Sequence, residues 1–332
     1  TVSVSDCHVV LGYLNPNNFL GGAIKLDVQR ARDHIKAQIA DPLGLSVEDA
    51  AAGVIELLDL TLSEYLRANI SAKGYNPAEF TCFSYGGAGP VHTYGYTGGV
   101  GFKDVVVPAW AAGFSAFGCA CADFEYRYDK SVDLGVAQFA SDEQKAAACT
   151  TLQEAWEELA TKVIDEFVIN GYQPEDVLLI PGYKMQYMGQ LNDLEIVSPV
   201  TSAATAADWQ QIIESFENTY GRVYANSARS PELGFSVTGA ILRGMVVTQK
   251  PVLPEDADAG PTPPKDAYLG TRPFYRHKKW VEAALWKMES LKAGNHIVGP
   301  AIIESDATTF VVPDGFETTI DKHRLFHLKE VK

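Results

Sequence analysis

Phe80-Thr-Cys-Phe-Ser-Tyr85 runs into Gly86-Gly-Ala-Gly-Pro90 and then Val91-His-Thr-Tyr-Gly-Tyr96. Further on, Lys103-Asp-Val-Val-Val-Pro108 precedes the small-residue run 112–124, AGFSAFGCACADF. The order reads as strand, glycine loop, short helix, strand, and a helix whose small residues predict close packing. Glycines directly after a strand let the backbone approach a ligand, and the next helix offers N–H groups without intrahelical partners. A phosphate or a nucleoside needs that arrangement. No Lys-Ser/Thr follows the glycines, and the spacing is not G-x-G-x-x-G, so the loop matches neither common nucleotide motif. Spacing alone leaves a second reading open, a tight turn packed on a neighbour.

Upstream, Ser46-Val-Glu-Asp49 is a helix start signal, and the helix it opens runs to about Lys73 before Gly74 and Pro77. Its apolar positions Val54, Leu57, Leu58, Leu62 and Leu66 recur at three and four. Glu64, Arg67, Ala68 and Ser71 share another face. That face is either solvated or the wall of a base and ribose held by the glycine loop.

Other candidates are weaker. His92 would serve as a general base or phosphate contact, or as a packing residue. Ser115 reads as a helix cap or a ligand contact. Cys119-Ala-Cys121 has no second pair for zinc, so buried structural thiols are expected. His323 and His327, on an alternating strand, would lie ~13 Å apart at ~3.3 Å per residue, too far for one metal. Asp6-Cys7-His8 would need partners from elsewhere. No G-x-S-x-G elbow, H-E-x-x-H or EF-hand loop occurs, and no metal ligand is assigned.

Elsewhere, residues 1–10 alternate, 15–24 are rich in turn formers, and 26–40 have a helical pattern. Ser141–Asn170 carries an amphipathic stripe of Leu152, Trp156, Leu159, Val163 and Phe167. Two strands are expected within 177–200, joined at Met188-Gly-Gln190. A helix follows at 206–226 and a strand at 235–249. Residues 251–267, rich in Pro and acid, read as a linker or surface excursion. The remainder reads as strands separated by turns.

The chain has 332 residues, a length that predicts two or three domains. With 42 Asp+Glu against 27 Lys+Arg and a net charge of −15, it is poorly suited to nucleic acid or to anionic membranes. A nucleotide site remains open, because it needs only a local nest of N–H groups. Five cysteines, an odd number, fit reduced thiols in a cytoplasmic protein better than a disulfide framework. No apolar run reaches the ~18 residues of a membrane span.

Several ordered blocks together resemble the hydantoinase A/5-oxoprolinase family. They are Thr1-Val-Ser-Val-Ser-Asp6, Leu11-Gly-Tyr-Leu-Asn-Pro16 with Phe19-Leu-Gly-Gly22, and Phe83-Ser-Tyr-Gly-Gly-Ala-Gly-Pro-Val-His92. Then come Val107-Pro108 with Gly113-Phe-Ser-Ala-Phe-Gly118, Tyr187-Met-Gly-Gln190, and Gly299-Pro-Ala-Ile-Ile-Glu304 with Thr308-Thr-Phe-Val-Val-Pro313. Within the family, Asp321-Lys-His-Arg-Leu-Phe-His-Leu328 and the aromatic-rich 94–102 look most like the acetone carboxylase branch and its β subunit. Acetophenone carboxylase subunits are next.

The resemblance implies an α/β chain: the second half of an actin-like (RNase-H-like) ATPase domain, followed by an α+β, strand-rich C-terminal domain. The corresponding blocks are residues 1–135 for the ATPase half, 136–250 for an α/β domain with the long helix, and 251–332 for a β-rich module. The chain would be the C-terminal half of a longer polypeptide. Gly86, Gly87, Ala88 and Gly89 would be the adenosine-side loop, with Glu64, Arg67 and Ser71 facing the adenine in the same cleft. ATP and Mg²⁺ are the implied cofactors. The implied partners are other carboxylase subunits, one of them holding a transition metal, and the N-terminal half of the same polypeptide. The activity would be phosphorylation of acetone and bicarbonate on the way to acetoacetate. The alternatives are an ATP-dependent hydantoinase/5-oxoprolinase-type amidohydrolase, an acetophenone carboxylase subunit, or a non-catalytic scaffold half.

Overall fold

Local capping and apolar spacing set most elements of the computed structural model, which describes residues 1–331. Helix α1 (Val4–Val10) opens with a capping box, Ser3 accepting from the Asp6 N–H and Asp6 accepting from the Ser3 N–H. That cap explains why an alternating stretch is helical. Helix α2 (Val28–Ile35) continues through a π-helical turn, Lys36–Ala40, into the short α3 (Asp41–Leu43). Helix α4 (Val47–Ala72) starts where the Ser46 hydroxyl accepts from the Asp49 N–H at 3.0 Å. Then follow β1 (Thr81–Phe83), α5 (Gly89–Thr97), β2 (Asp104–Pro108), α6 (Phe114–Cys121) and β3 (Phe124–Val136). Next are α7 (Asp142–Ile169), β4 (Leu178–Tyr187), β5 (Leu194–Val197), α8 (Ala206–Tyr224) and β6 (Phe235–Val246). The chain ends with β7 (Tyr268–Arg276), β8 (Lys279–Lys287), β9 (His296–Val298), β10 (Ala301–Glu304), β11 (Thr309–Val312), β12 (Phe316–Ile320) and β13 (Leu325–Glu330).

These elements form two compact units. The first comprises residues 1–71, 76–120 and 251–332, and the second residues 72–75 and 121–250. In the second unit an antiparallel sheet, ordered β3-β6-β4-β5, packs against α7 and α8. The stripe Leu152, Trp156, Leu159, Val163 and Phe167 is buried there, beside Trp209, Ile212, Phe216 and Tyr220 of α8. Both helices open with capping boxes, Ser141 with Gln144 and Thr205 with Asp208.

The first unit is layered. One sheet, ordered β11-β10-β8-β7, is covered on one face by α1, α2 and α4. Its other face packs on a second sheet, ordered β1-β2-β13-β12-β9. The period-two alternation of strands accounts for this: Ile302 and Val311 point to the helices, whereas Ile303, Phe310 and Val312 point to the other sheet.

The expected block boundaries do not match this arrangement. The strands of 251–332 are not a separate module, because β13 pairs antiparallel with β2, from Leu325 opposite Pro108 to Leu328 opposite Val105. Likewise β3, expected with the ATPase half, pairs with β6 in the second unit. Pairing between strands so far apart in sequence leaves no local signal. Residues 251–264 have no regular structure but are tied down, Asn295 donating to the Gly260 and Thr262 carbonyls. Strand β7, interrupted by Gly270 and Pro273, was not legible in the sequence.

Two helices differ from expectation in what they bury. Helix α6 buries none of its residues, so its small residues do not serve close packing, and Cys119 is exposed rather than buried. On α4 the buried positions are Ala50, Ala51, Ile55, Asp59 and Ser63. Of the expected stripe, Leu57 and Leu62 are exposed and Val54, Leu58 and Leu66 are only half-buried, so none of it is fully buried, and Leu60 beside it is 61% exposed.

Candidate functional site

Strand β1 pairs parallel with β2, and the Ser84 N–H extends the pairing to the Val106 carbonyl at 2.8 Å. The chain then turns at Gly86, whose φ of +87° is in the left-handed region that favours glycine. The space where a Gly86 side chain would project is open. On its other side the loop is clasped, the Thr308 hydroxyl lying 3.1 Å from both the Gly86 and Gly87 carbonyls. Helix α5 begins at Gly89 with Ala88 as its N-cap, so no side chain caps its first turn. The positive end of its dipole is therefore left to a ligand or to water.

Gly87 and Ala88 line a cavity of about 310 Å³ in the first unit. Its other walls are Val4, Ser5 and His8 of α1, the turn region Leu14–Leu20, Val91 of α5, and residues 304–309 of the β10–β11 hairpin. Two carboxylates, Glu304 and Asp306, belong to the lining, which includes no Lys or Arg. Glu304 is 6% exposed and accepts from Arg272 at 2.6 Å. Arg272 is itself held by the Gly12 and Tyr13 carbonyls, so the Glu304 charge is matched from behind the wall.

A cluster of buried polar groups lies next to the cavity. His8 and His92, at 3% and 5% exposure, have ring centroids 4.5 Å apart. His92 Nδ1 is 2.7 Å from Asp59 Oδ1, and the Tyr13 and Tyr94 hydroxyls are 3.1 Å apart. Burial, then the neighbouring His92, pushes the His8 imidazolium pKa down to about 3, so His8 is neutral at ordinary pH. Glycine is required at position 95, where a Cβ would come within 1.8 Å of Asp59 Oδ2.

The cluster has a second cavity on its far side, about 380 Å³, lined by Asp59, Ser63, Glu64 and Arg67 of α4, by Tyr94, Gly95 and Gly98, and by Arg276. Arg67 donates to the Gly99 carbonyl at 2.5 Å, and the Arg276 guanidinium lies 4.8 Å from the Tyr94 ring centroid.

The expected single cleft is therefore divided. Gly87 and Ala88 face the first cavity, flanked in the loop by Gly86 and Gly89, while Glu64 and Arg67 face the second. Ser71 is exposed and lines neither. The physical reason is the rotation of α4, which turns Asp59 and Ser63 inward and brings Arg67 to the C-terminal end of α5, away from the glycine loop. His92 is buried between the cavities rather than open to either.

Sequence reasoning passed over Asp59, Glu304 and Arg272, and left His8 without partners. The spacing Ala51, Ile55, Asp59, Ser63 is a period-four stripe that would have marked Asp59 as inward. Of the remaining candidates, Ser115 is exposed and Asp6 is spent on the α1 cap. His323 meets the Pro254 carbonyl and His327 meets Asp104. Among the described residues no group of three or more His, Cys, Asp or Glu could hold a metal ion. Nor is any helix among them long and apolar enough to cross a membrane.

Two sequence profiles match the chain, hydantoinase/oxoprolinase over residues 1–128 and the hydantoinase/oxoprolinase C-terminal domain over residues 139–331. The chain is 69% identical to the acetone carboxylase β subunit of Xanthobacter autotrophicus across 100% of its own length and 46% of that protein. A nucleotide-free structure of acetone carboxylase superposes with a TM-score of 0.74 at 69% identity, covering 100% of this chain and 47% of the other. The ATP-dependent caprolactamase of Pseudomonas jessenii superposes with a TM-score of 0.81 at 25% identity, covering 99% and 47%. The chain thus spans about half the length of the relatives it matches, and it belongs to the hydantoinase/oxoprolinase family.

Proposed function

We propose that the chain is the C-terminal, nucleotide-binding part of a β-type subunit of an ATP-dependent acetone carboxylase, acting in the cytoplasm with partner subunits. The observation that carries this reading is the 69% identity to an acetone carboxylase β subunit over the whole chain. The site gives a physical basis. The open left-handed turn at Gly86 and the uncapped start of α5 suit close approach of a nucleotide, in the manner of the second half of an actin-like ATPase. With Glu304 matched by Arg272, Asp306 is the carboxylate of this cavity available to Mg²⁺, which would neutralise phosphate charge. The positive groups a triphosphate needs would come from the N-terminal half of the polypeptide or from other subunits. The outward apolar faces of α4 and α6 suit coverage by such partners.

A ketone methyl is a poor carbon acid and bicarbonate a poor electrophile. Phosphoryl transfer to each makes carbon–carbon bond formation feasible, leaving AMP and phosphate. The protein's contribution is positioning and charge neutralisation. The metal site that joins the two carbons is expected on another subunit. The fold likeness to caprolactamase supports a second reading, an ATP-dependent amidohydrolase.

The test uses the assembled enzyme. ATP turnover is expected with acetone plus bicarbonate and not with 5-oxoproline or a hydantoin; the reverse would select the second reading. Hydrogen exchange should show ATP-dependent protection of residues 84–91, and its absence would remove the nucleotide assignment. Gly86→Ala forces a side chain into a left-handed turn at ~1–2 kcal/mol, so the apparent ATP affinity should fall about tenfold.

A further inference from the structure

We propose that His8 is the substrate-contacting residue of the 310 Å³ cavity, its ring N–H donating to the carbonyl oxygen of a small uncharged carbonyl compound. The inference rests on the reading of the chain as part of a carbonyl-activating enzyme and narrows the class of substrate.

Three observations carry it. First, His8 is 3% exposed and lines the cavity, and its ring nitrogens, which are not among the buried atoms left without a partner, open onto that cavity rather than bonding another described side chain. Its neighbours are paired, His92 with Asp59 and Tyr13 with Tyr94. His92 and Tyr13 pack on the ring at 4.5 and 5.8 Å and fix it in place. A fixed ring whose N–H opens onto a cavity wall is placed to donate to a ligand acceptor.

Second, the cavity is at the small end of the ~300–1,000 Å³ typical of ligand pockets, and Val4, Leu14, Phe19 and Val91 give it apolar walls.

Third, its charged side chains are Glu304 and Asp306, with no Lys or Arg. Glu304 is matched by Arg272, so an anionic substrate would meet the like charge of Asp306 wherever Mg²⁺ does not neutralise it. The walls therefore select an uncharged ketone or lactam over a carboxylate-bearing carbonyl compound such as 5-oxoproline. A neutral imidazole suits this role, because it donates to a carbonyl oxygen without introducing a charge. The depressed basicity of His8 agrees with it.

The experiment has two parts, both on the assembled enzyme. With ¹⁵N-histidine labelling, acetone should shift the His8 ring resonances saturably, and 5-oxoproline at equal concentration should not. No His8 response to acetone, or an equal response to 5-oxoproline, would overturn the proposal. In kinetics, His8→Phe should raise KM for acetone by about 10–100-fold while leaving KM for ATP unchanged. His8→Gln, which keeps a donor, should recover part of the loss. An unchanged KM for acetone in His8→Phe would sink the assignment and leave the carboxylase reading standing. The opposite pattern separates the two ideas: if acetone shifts the wild-type His8 resonances but is not turned over with ATP, the carboxylase reading fails and the His8 assignment stands.

Discussion

The two units use the same building materials for different ends. Every buried polar or charged side chain among the described residues belongs to the first unit, from His8, Asp59 and His92 to Asn295, Glu304 and Thr308. The buried side chains of the second unit are hydrophobic, gathered in one cluster under α7 and α8. The first unit divides its core into two smaller clusters and leaves whole helix faces outward. A fold that buries polar groups loses desolvation energy it must recover by pairing them, and a fold that seeks only stability avoids doing so. The contrast therefore agrees with the proposed site in the first unit and leaves the second a hydrophobic-cored unit.

The largest effect that would test this contrast is in the second unit. Trp156 is buried under the sheet and donates to the Gly182 carbonyl at 2.8 Å. Trp156→Ala should cost ~3–5 kcal/mol through the cavity it leaves. Hydrogen exchange of the variant should show lost protection across 121–250 with protection at 84–97 retained. Loss of both in parallel would mean that the units do not unfold separately.

The next effect is in the first unit and appears with acid. All seven histidines lie outside residues 121–250. His8 stays neutral when folded, to a pH of about 3, whereas an unfolded histidine takes up a proton below pH ~6.5. The unfolded state thus binds more protons between those values, so stability is full above pH ~6.5 and falls as pH drops. The slope is up to ~1.4 kcal/mol per pH unit, or about 2–3 kcal/mol by pH 4.5. Denaturant titrations across that range should show the loss, and His8→Phe should flatten it. The carboxylates of the second unit whose pKa values are lowered by their partners, such as Asp129 beside Arg127 and Glu158 beside Lys130, begin to lose stability only at lower pH. A second unit that weakens equally by pH 4.5 would break the comparison.

The same contrast explains what could be read in advance. In the second unit α7 and α8 carry uninterrupted 3.6-period stripes and β4 is followed directly by its partner β5, so these elements were legible, whereas the pairing of β3 with the distant β6 was not. In the first unit the glycine loop was legible, because Gly86 marks a backbone state that few other residues adopt. Its sheets were not, since β2 finds β13 more than two hundred residues away. The site was half legible for a related reason. On α4 the leucines mimic a core stripe, while the inward positions carry Asp59 and Ser63. Hydrophobic periodicity finds the apolar face of a helix, and here that face turns to the core only in part: Val54 packs on it, while Leu57 and Leu62 are exposed.

Those outward leucines supply the smallest expected change in the stability of the chain. Leu57, Leu60 and Tyr65 are 68%, 61% and 68% exposed on α4. Lys has nearly the helix propensity of Leu, so Leu57→Lys and Leu60→Lys should each move the stability of this chain by no more than ~0.5 kcal/mol. If the face exists to be covered by the rest of a longer polypeptide or by another subunit, the same substitutions place a charge in an apolar contact and weaken association. Size-exclusion chromatography of the complex should then show released chain, with denaturation midpoints of the isolated chain unchanged. The opposite pattern, an intact complex and a destabilised chain, would mean that the leucines serve this chain's own fold. The first unit would then be as self-sufficient as the second.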